Sequence, residues 1–246
     1  SFASVIGLAI SRLIGILSMS LAFVKPMQNE NTGVEIKLER SDFNFPTLLL
    51  GNFANIIIIS SRFVAGADGS NGIAFFMYAV VILNALLTSV IGNVSTILLR
   101  KISIKKNTRL MIYSLLISLC VGLLMVLGLH YFSYDIIKAV YLRGAFNISD
   151  AQQTSEYLYE LSFSFLLLFM ATILFQPFLS LPILETKGVR LKMATVLVVM
   201  LLFSCCIIFI PNISPKDKSL VVMYTSSFTT MLLSVYSYFK YLKYER

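Results

Sequence analysis

Of 246 residues, 57% are hydrophobic and only 13% are charged, and the mean hydropathy is +0.83. Soluble domains carry ~25% charged residues, so a soluble globular domain is excluded. The net charge of +8 does not point to nucleic acid, because the basic residues sit between apolar segments rather than on one soluble face.

The apolar segments run about twenty residues, the length of a spanning helix, where barrel strands alternate over about ten. The expected fold class is therefore all-α, a polytopic membrane helical bundle. About seven transmembrane helices are expected, at 2–24, 46–66, 73–98, 110–132, 157–181, 191–210 and 220–239.

The first window carries Arg12 near its middle, with no acidic residue in the same span. It either snorkels or pairs with a neighbouring helix, or else faces a substrate path. The loop that follows, Lys25–Phe45, is mixed in charge, and its ERSDF segment is expected along the membrane surface.

The second window, PTLLLGNFANIIIISSRFVAG, carries Asn52, Asn55 and Arg62. At ~3.6 residues per turn these fall on one face, with Ile59 between them. A charge at bilayer depth costs at least ~2.5 kcal/mol on insertion scales, so such groups normally face a bundle interior or a wet cavity. The stripe is therefore expected to look into a water-accessible pocket enclosed by neighbouring helices. The competing readings are snorkelling by Arg62 and interhelical hydrogen bonding by the two amides.

In the third window Asn84, Thr88, Gly92 and Ser95 line up at helical steps, as either a small-residue packing face or a second wall of the same cavity. After the fourth window, which ends near the interface residue His130, the spacing of YDIIKAVYL predicts a short interfacial helix over 134–142. Ser149 or Asp150 is then the expected N-cap of the fifth span. That span presents Glu156, Glu160, Ser164, Thr172 and Gln176 along one edge, and Pro177 is expected to break it. Glu160 lies about a turn from the surface, which favours a solvated carboxylate. Burial that raised its pKa would make it a candidate for ion coupling.

The last window, with Ser226, Ser227, Thr229, Thr230 and Ser234, resembles a small-residue packing helix. Cys120, Cys205 and Cys206 all lie within apolar runs and are read as small buried hydrophobes, not as a disulfide or metal site.

Alternate loops differ in charge. One set holds Lys25, Lys37 and Arg40, then Arg100, Lys101, Lys105, Lys106 and Arg109, then Lys187, Arg190 and Lys192, and finally Lys240, Lys243 and Arg246. The other holds Lys138, Arg143, Lys216 and Lys218. The positive-inside rule makes the first set, and with it the C-terminus, cytoplasmic. The chain begins at Ser1 with no initiator Met and no basic region ahead of its first apolar run, which does not read as a signal peptide, and an N-terminally truncated chain is the expectation.

GNFANIIIISSRFVAG, a glycine-containing turn, FFMYAVV and a long apolar run ending in basic residues resemble the seventh and eighth helices of the MurJ/MviN lipid II flippases. That family belongs to the multidrug/oligosaccharidyl-lipid/polysaccharide exporter superfamily. YLRGAFNISDAQQTSEYLYELSFSF looks like the family's external RGAF segment leading into its tenth helix.

The resemblance runs from about Phe45 to the C-terminus. It implies a partial two-lobe exporter fold. Residues 1–45 would hold the last helix of an N-terminal lobe plus a cytoplasmic linker, and residues 46–246 a C-terminal six-helix transmembrane lobe. The remaining N-terminal helices, or a partner lobe, would then be missing. Two departures stand out. Ser61 precedes Arg62 where members often carry Asp. Tyr78-Ala79-Val80-Val81 stands where members often read Tyr-Ala-Asp-Arg, which weighs against lipid II itself as the substrate.

The function implied is a flippase of the bacterial cytoplasmic (inner) membrane that moves a polyprenyl-pyrophosphate-linked sugar precursor by alternating access. It needs no cofactor. Arg12 and Arg62 would attract the pyrophosphate, and Asn52, Asn55 and Asn84 would meet sugar hydroxyls. A drug/cation antiporter of the same superfamily would need a mid-span acid, which the sequence lacks. A membrane enzyme such as a polyprenyl-phosphate sugar transferase would need acidic metal ligands, and Glu30, Glu35, Glu39 and Asp42 form no such motif. A non-transporting helical subunit or fragment is the remaining alternative.

Overall fold

The computed structural model describes residues 45–67, 71–87, 108–142, 146–179, 181 and 183–244, all within the compact unit Asn44–Arg246. The first window, Arg12, the acidic residues Glu30 to Asp42, and Thr88, Gly92 and Ser95 lie outside the described residues.

In chain order the helices are α1 (Phe45–Gly51), α2 (Phe53–Ala65), α3 (Gly72–Leu87), α4 (Thr108–Tyr141), α5 (Ile148–Leu179), α6 (Ile183–Cys205) with a short 3-10 turn at Cys206–Phe209, and α7 (Pro215–Tyr244). The described residues contain no strand. Four helices, α4 to α7, are long and apolar enough to cross a membrane, and α1 with α2 makes a fifth if the bent pair is one span. This is a helical membrane protein. Beyond those five, α3 is a shorter apolar helix over its described residues.

The second window is not one straight helix. α1 and α2 meet at an angle of 70°, and Asn52 makes the break. Its side-chain Nδ2 donates to the carbonyl of Leu48 at 3.0 Å. Its backbone N–H reaches the carbonyls of Leu48 and Leu49, and its own carbonyl accepts from Ile56 N–H. The asparagine thus closes one helix and opens the next, the competition with regular helix that short polar side chains favour.

α5 is the axis of the bundle. Of its most apolar window 67% is buried, against 17% for α4. It packs on α3, α4 and α7, while α7 also packs on α2 and α6, and α1 lies on α6. The core along α5 is built from Leu158, Leu161, Phe165, Ala171, Phe175 and Phe178. Phe175 packs on Phe53 with centroids 5.2 Å apart, and Tyr157 meets Phe76 edge-on at 5.8 Å. At the α4–α5 crossing a Cβ on Gly122 would come within 2.3 Å of Leu166 Cδ1, so the glycine makes room for that leucine side chain.

α7 supplies the other half of the principal contact. Ser219, Ser226, Ser227, Thr230, Ser234 and Ser237 are all fully buried, as expected of a small-residue packing helix. All but Ser226, whose hydroxyl reaches Met200 Sδ of α6, bond back to their own helix, Ser227 to Met223 O and Thr230 to Ser226 O among them. Lipid tails are as apolar as leucine, so helix pairing in a bilayer rests on such close packing rather than on water exclusion.

Several local expectations are corrected. No separate interfacial helix forms over 134–142, because α4 continues through Tyr141. No glycine or proline intervenes there to stop it. The N-cap of α5 is Asn147, not Ser149 or Asp150. Asn147 Oδ1 accepts the Asp150 N–H at 2.8 Å, and Asp150 Oδ2 accepts the Asn147 N–H at 3.0 Å, a reciprocal capping box. Pro177 is buried inside α5, which continues to Leu179. Cys120 and Cys206 are exposed on the bundle's outer surface rather than buried, and all three cysteines are free thiols.

Candidate functional site

Three places in the described structure concentrate polar chemistry. The first is the outer face of α2. Phe53, Ile57, Ser61, Val64 and Ala65 turn inward, which leaves Asn52, Asn55 and Arg62 exposed, together with Ile59 at 51%. The three predicted residues do share one side of the lobe. The enclosing pocket expected for them is not built by the described helices, and the stripe lies on the surface of the unit. Arg62 falls in the last turn of α2, where its charge is favoured by the negative end of the helix dipole.

Asn84, predicted as a second wall, lies on α3 beside a small cavity of about 70 Å³ between α2, α3 and α5. Ala54 and Ile58 of α2 and Phe165, Leu168, Phe169 and Thr172 of α5 line the rest of it. The structure therefore sets Asn84 next to the position adjoining Asn55, facing the junction of three helices.

The second place was read in the sequence only as loop charge. Arg190 of α6 is fully buried. Its Nε donates to Thr186 Oγ1 at 2.7 Å and its Nη1 to Thr47 Oγ1 at 3.0 Å. Nη2 points among the carbonyls of Phe178, Leu179 and Leu181, at 3.3, 3.2 and 2.8 Å. The guanidinium also sits 5.6 Å from the Phe178 ring centroid. One side chain therefore closes the C-terminal end of α5, where carbonyls lack helical donors, and ties α1 and α6 to it. The signal available was Thr186 four residues before Arg190, just after Pro182, which has no N–H to return to the Phe178 carbonyl.

The third place is the opposite end of the bundle. Ser214 caps α7, its Oγ accepting from Asp217 N–H at 3.1 Å, and Pro215 occupies the first turn, where its missing N–H costs nothing. Asn212 just before has φ 65°, a left-handed value that asparagine tolerates and that a Pro-Asn turn requires.

This geometry delivers Lys216 onto α5. Its Nζ donates to Glu156 Oε2 at 2.7 Å and lies 3.0 Å from Glu160 Oε2, a charge contact rather than an aligned bond. The ammonium is also 5.7 Å from the Tyr157 ring centroid. Glu160, the candidate for ion coupling, is thus part of an ion pair across α5 and α7, and its backbone carbonyl accepts from the Tyr224 hydroxyl.

Beside these residues opens a cleft of about 540 Å³, lined by Ala65, Asn71, Gly72, Phe75, Asp150, Gln153, Glu156, Tyr157, Ser214, Pro215 and Lys216. A second chamber of about 460 Å³ shares Asn71, Phe75 and Asp150 with it and continues along Ala74, Tyr78, Tyr141 and Phe146. The last three are mutually packed aromatics, 4.8 to 5.8 Å between centroids. Phe146 is the final residue of the RGAF stretch, and its ring packs on α3 and α4.

None of these three cavities is lined by Asn52, Asn55 or Arg62. No protein-family description, no curated protein and no solved structure matches the chain.

Proposed function

We propose that the chain is a lobe of a membrane transporter that moves a lipid-linked polar headgroup, a polyprenyl-pyrophosphate sugar precursor, across a bacterial cytoplasmic membrane. The observation that carries this is the placement of the α2 stripe. Its apolar side belongs to the lobe's core, while two amides and a guanidinium are left uncovered on the other side. A two-lobe exporter needs such a half-site on one lobe, to be closed by the other, and the resemblance to the MurJ/MviN family supports the same arrangement.

In this reading Arg62 takes the pyrophosphate, because a guanidinium stays charged and binds phosphate oxygens in pairs. Asn52, Asn55 and Asn84 meet sugar hydroxyls, and Arg12 supplies charge from the segment preceding the lobe. Rocking of the lobes opens the site to each side in turn, and no covalent bond is made or broken. The break at Asn52 gives α1 and α2 the discontinuous form that substrate-binding helices of transporters adopt. The positive-inside rule, applied to the basic loops, supports a cytoplasmic Arg190 end and an external Lys216 end.

Two measurements test the assignment. Arg62→Ala is expected to abolish translocation of a lipid-linked saccharide in proteoliposomes while membrane insertion stays normal. In a background with all three cysteines replaced, Asn55→Cys is expected to react with a membrane-impermeant maleimide. Unaltered translocation in Arg62→Ala, or an Asn55→Cys thiol that only a lipid-soluble reagent reaches, overturns the reading.

A further inference from the structure

We propose that the cleft at the Lys216 end is a binding site for an uncharged saccharide. The inference goes beyond the transport reading and leans on it only for where that saccharide comes from.

Charge decides what the cleft turns away. Lys216 is held by Glu156 at 2.7 Å and Glu160 at 3.0 Å, so the cleft has no spare ammonium to offer a phosphate. Asp150 is committed within the protein. Its Oδ2 accepts the Asn147 N–H, and it stands in the first turn of α5, where the helix dipole offsets a negative charge. The carboxylates around the opening outnumber its one ammonium, so an anionic ligand meets net negative charge and finds no free cation to hold it.

What the cleft does offer is hydrogen-bonding groups of both kinds. The amides of Asn71 and Gln153 each donate and accept, and both residues are exposed to the opening. Glu156 and Lys216 extend the set with an acceptor and a donor whose side chains are 47% and 27% exposed. A sugar hydroxyl is both donor and acceptor and suits such a mixed lining. Apolar carbon completes the lining: Phe75, 9% exposed, borders both chambers and Tyr157, 3% exposed, borders one of them, so the aromatic contribution is a narrow rim. A pyranose's C–H groups can meet that rim while its hydroxyls turn to the amides. The volume of about 540 Å³ lies within the roughly 300–1,000 Å³ range of small-molecule sites.

The cleft is also assembled from the starts of α3, α5 and α7 and the end of α2. Occupancy would therefore brace elements from across the lobe at one point, at the mouth rather than along the α2 stripe.

The test uses the whole chain in detergent micelles and saturation-transfer NMR with maltose and with chitobiose. At least one saccharide is expected to show transfer to its ring protons. Gln153→Leu and Asn71→Ala, both at exposed positions, are expected to weaken binding about tenfold each, the loss of one to two hydrogen bonds, with helical content unchanged by circular dichroism. Translocation is measured on the same Gln153→Leu and Asn71→Ala proteins as saccharide binding, so failure of the α2 half-site and failure of the cleft are read separately.

A lipid-linked saccharide that competes with the free disaccharide identifies a translocated headgroup as the source. Failure to compete identifies a free glycan. No transfer to either saccharide, undiminished binding in both cleft variants, or displacement of bound saccharide by inorganic pyrophosphate or tetramethylammonium overturns the proposal.

Discussion

The two ends of α5 hold a cation in opposite ways. At one end Arg190 is wholly buried, and among the described residues its partners are neutral oxygens, three carbonyls and two threonine hydroxyls. At the other, Lys216 is part-exposed and is held by two carboxylates. The first is a structural bolt: the guanidinium is always charged, its fork is fully used, and the dipole of α5 points its negative end at it. The second is exchangeable, since water and salt compete for a part-exposed pair. Charge at a helix end therefore does not by itself mark function. The exchangeable end is where the lobe has a cleft, and the bolted end has none among the cavities described.

Substitutions can break this contrast in order of expected effect. Arg190→Ala takes their donor from the part-buried carbonyls of Leu179 and Leu181, while Phe178 O keeps the Leu181 N–H, at about 1–3 kcal/mol for each carbonyl left unpaired. The expected result is a large fall in thermal stability in detergent and poor recovery from membranes. Arg190→Lys keeps the charge but loses the fork, and is expected to fall between Arg190→Ala and the parent. Equal stability of all three proteins would show that the bolt contributes nothing.

Asn147→Ala removes the α5 cap and is expected to cost about 1 kcal/mol, read as a lowered unfolding temperature. Lys216→Met is the mildest change, under about 1 kcal/mol once screening is allowed for. Its effect should shrink further at high salt, whereas that of Arg190→Ala should not.

Much of the architecture was legible because length and apolarity alone specify spanning helices: α4 to α7 fall where the windows place them. The packing role of α7 was legible too, since a row of serines and threonines at helical spacing has few uses besides close approach. Chain direction at Asn52 was not. An asparagine on the polar stripe and an asparagine that bonds its own i−4 carbonyl look identical in a sequence, and only the second bends the helix by 70°. Arg190 was missed for a related reason. A basic residue near a helix start reads as solvated unless the acceptors that could bury it are known, and these come from Phe178 to Leu181 and from Thr47, 143 positions away. The stripe of Asn52, Asn55 and Arg62 was found as a face, but periodicity gives no information on what lies opposite it. The cleft at Lys216 was invisible because its lining comes from the ends of four helices.

The hydroxyls of α7 carry one more consequence. Ser219, Ser227, Thr230, Ser234 and Ser237 each bond a carbonyl of their own helix, so along that row they form no rungs to α5. The polar ties between the two helices gather near the start of α7, at the Lys216 ion pairs and the Tyr224 hydroxyl on the Glu160 carbonyl. Along the serine and threonine row the seam is held by close packing alone, so its strength there depends on shape rather than on any single bond.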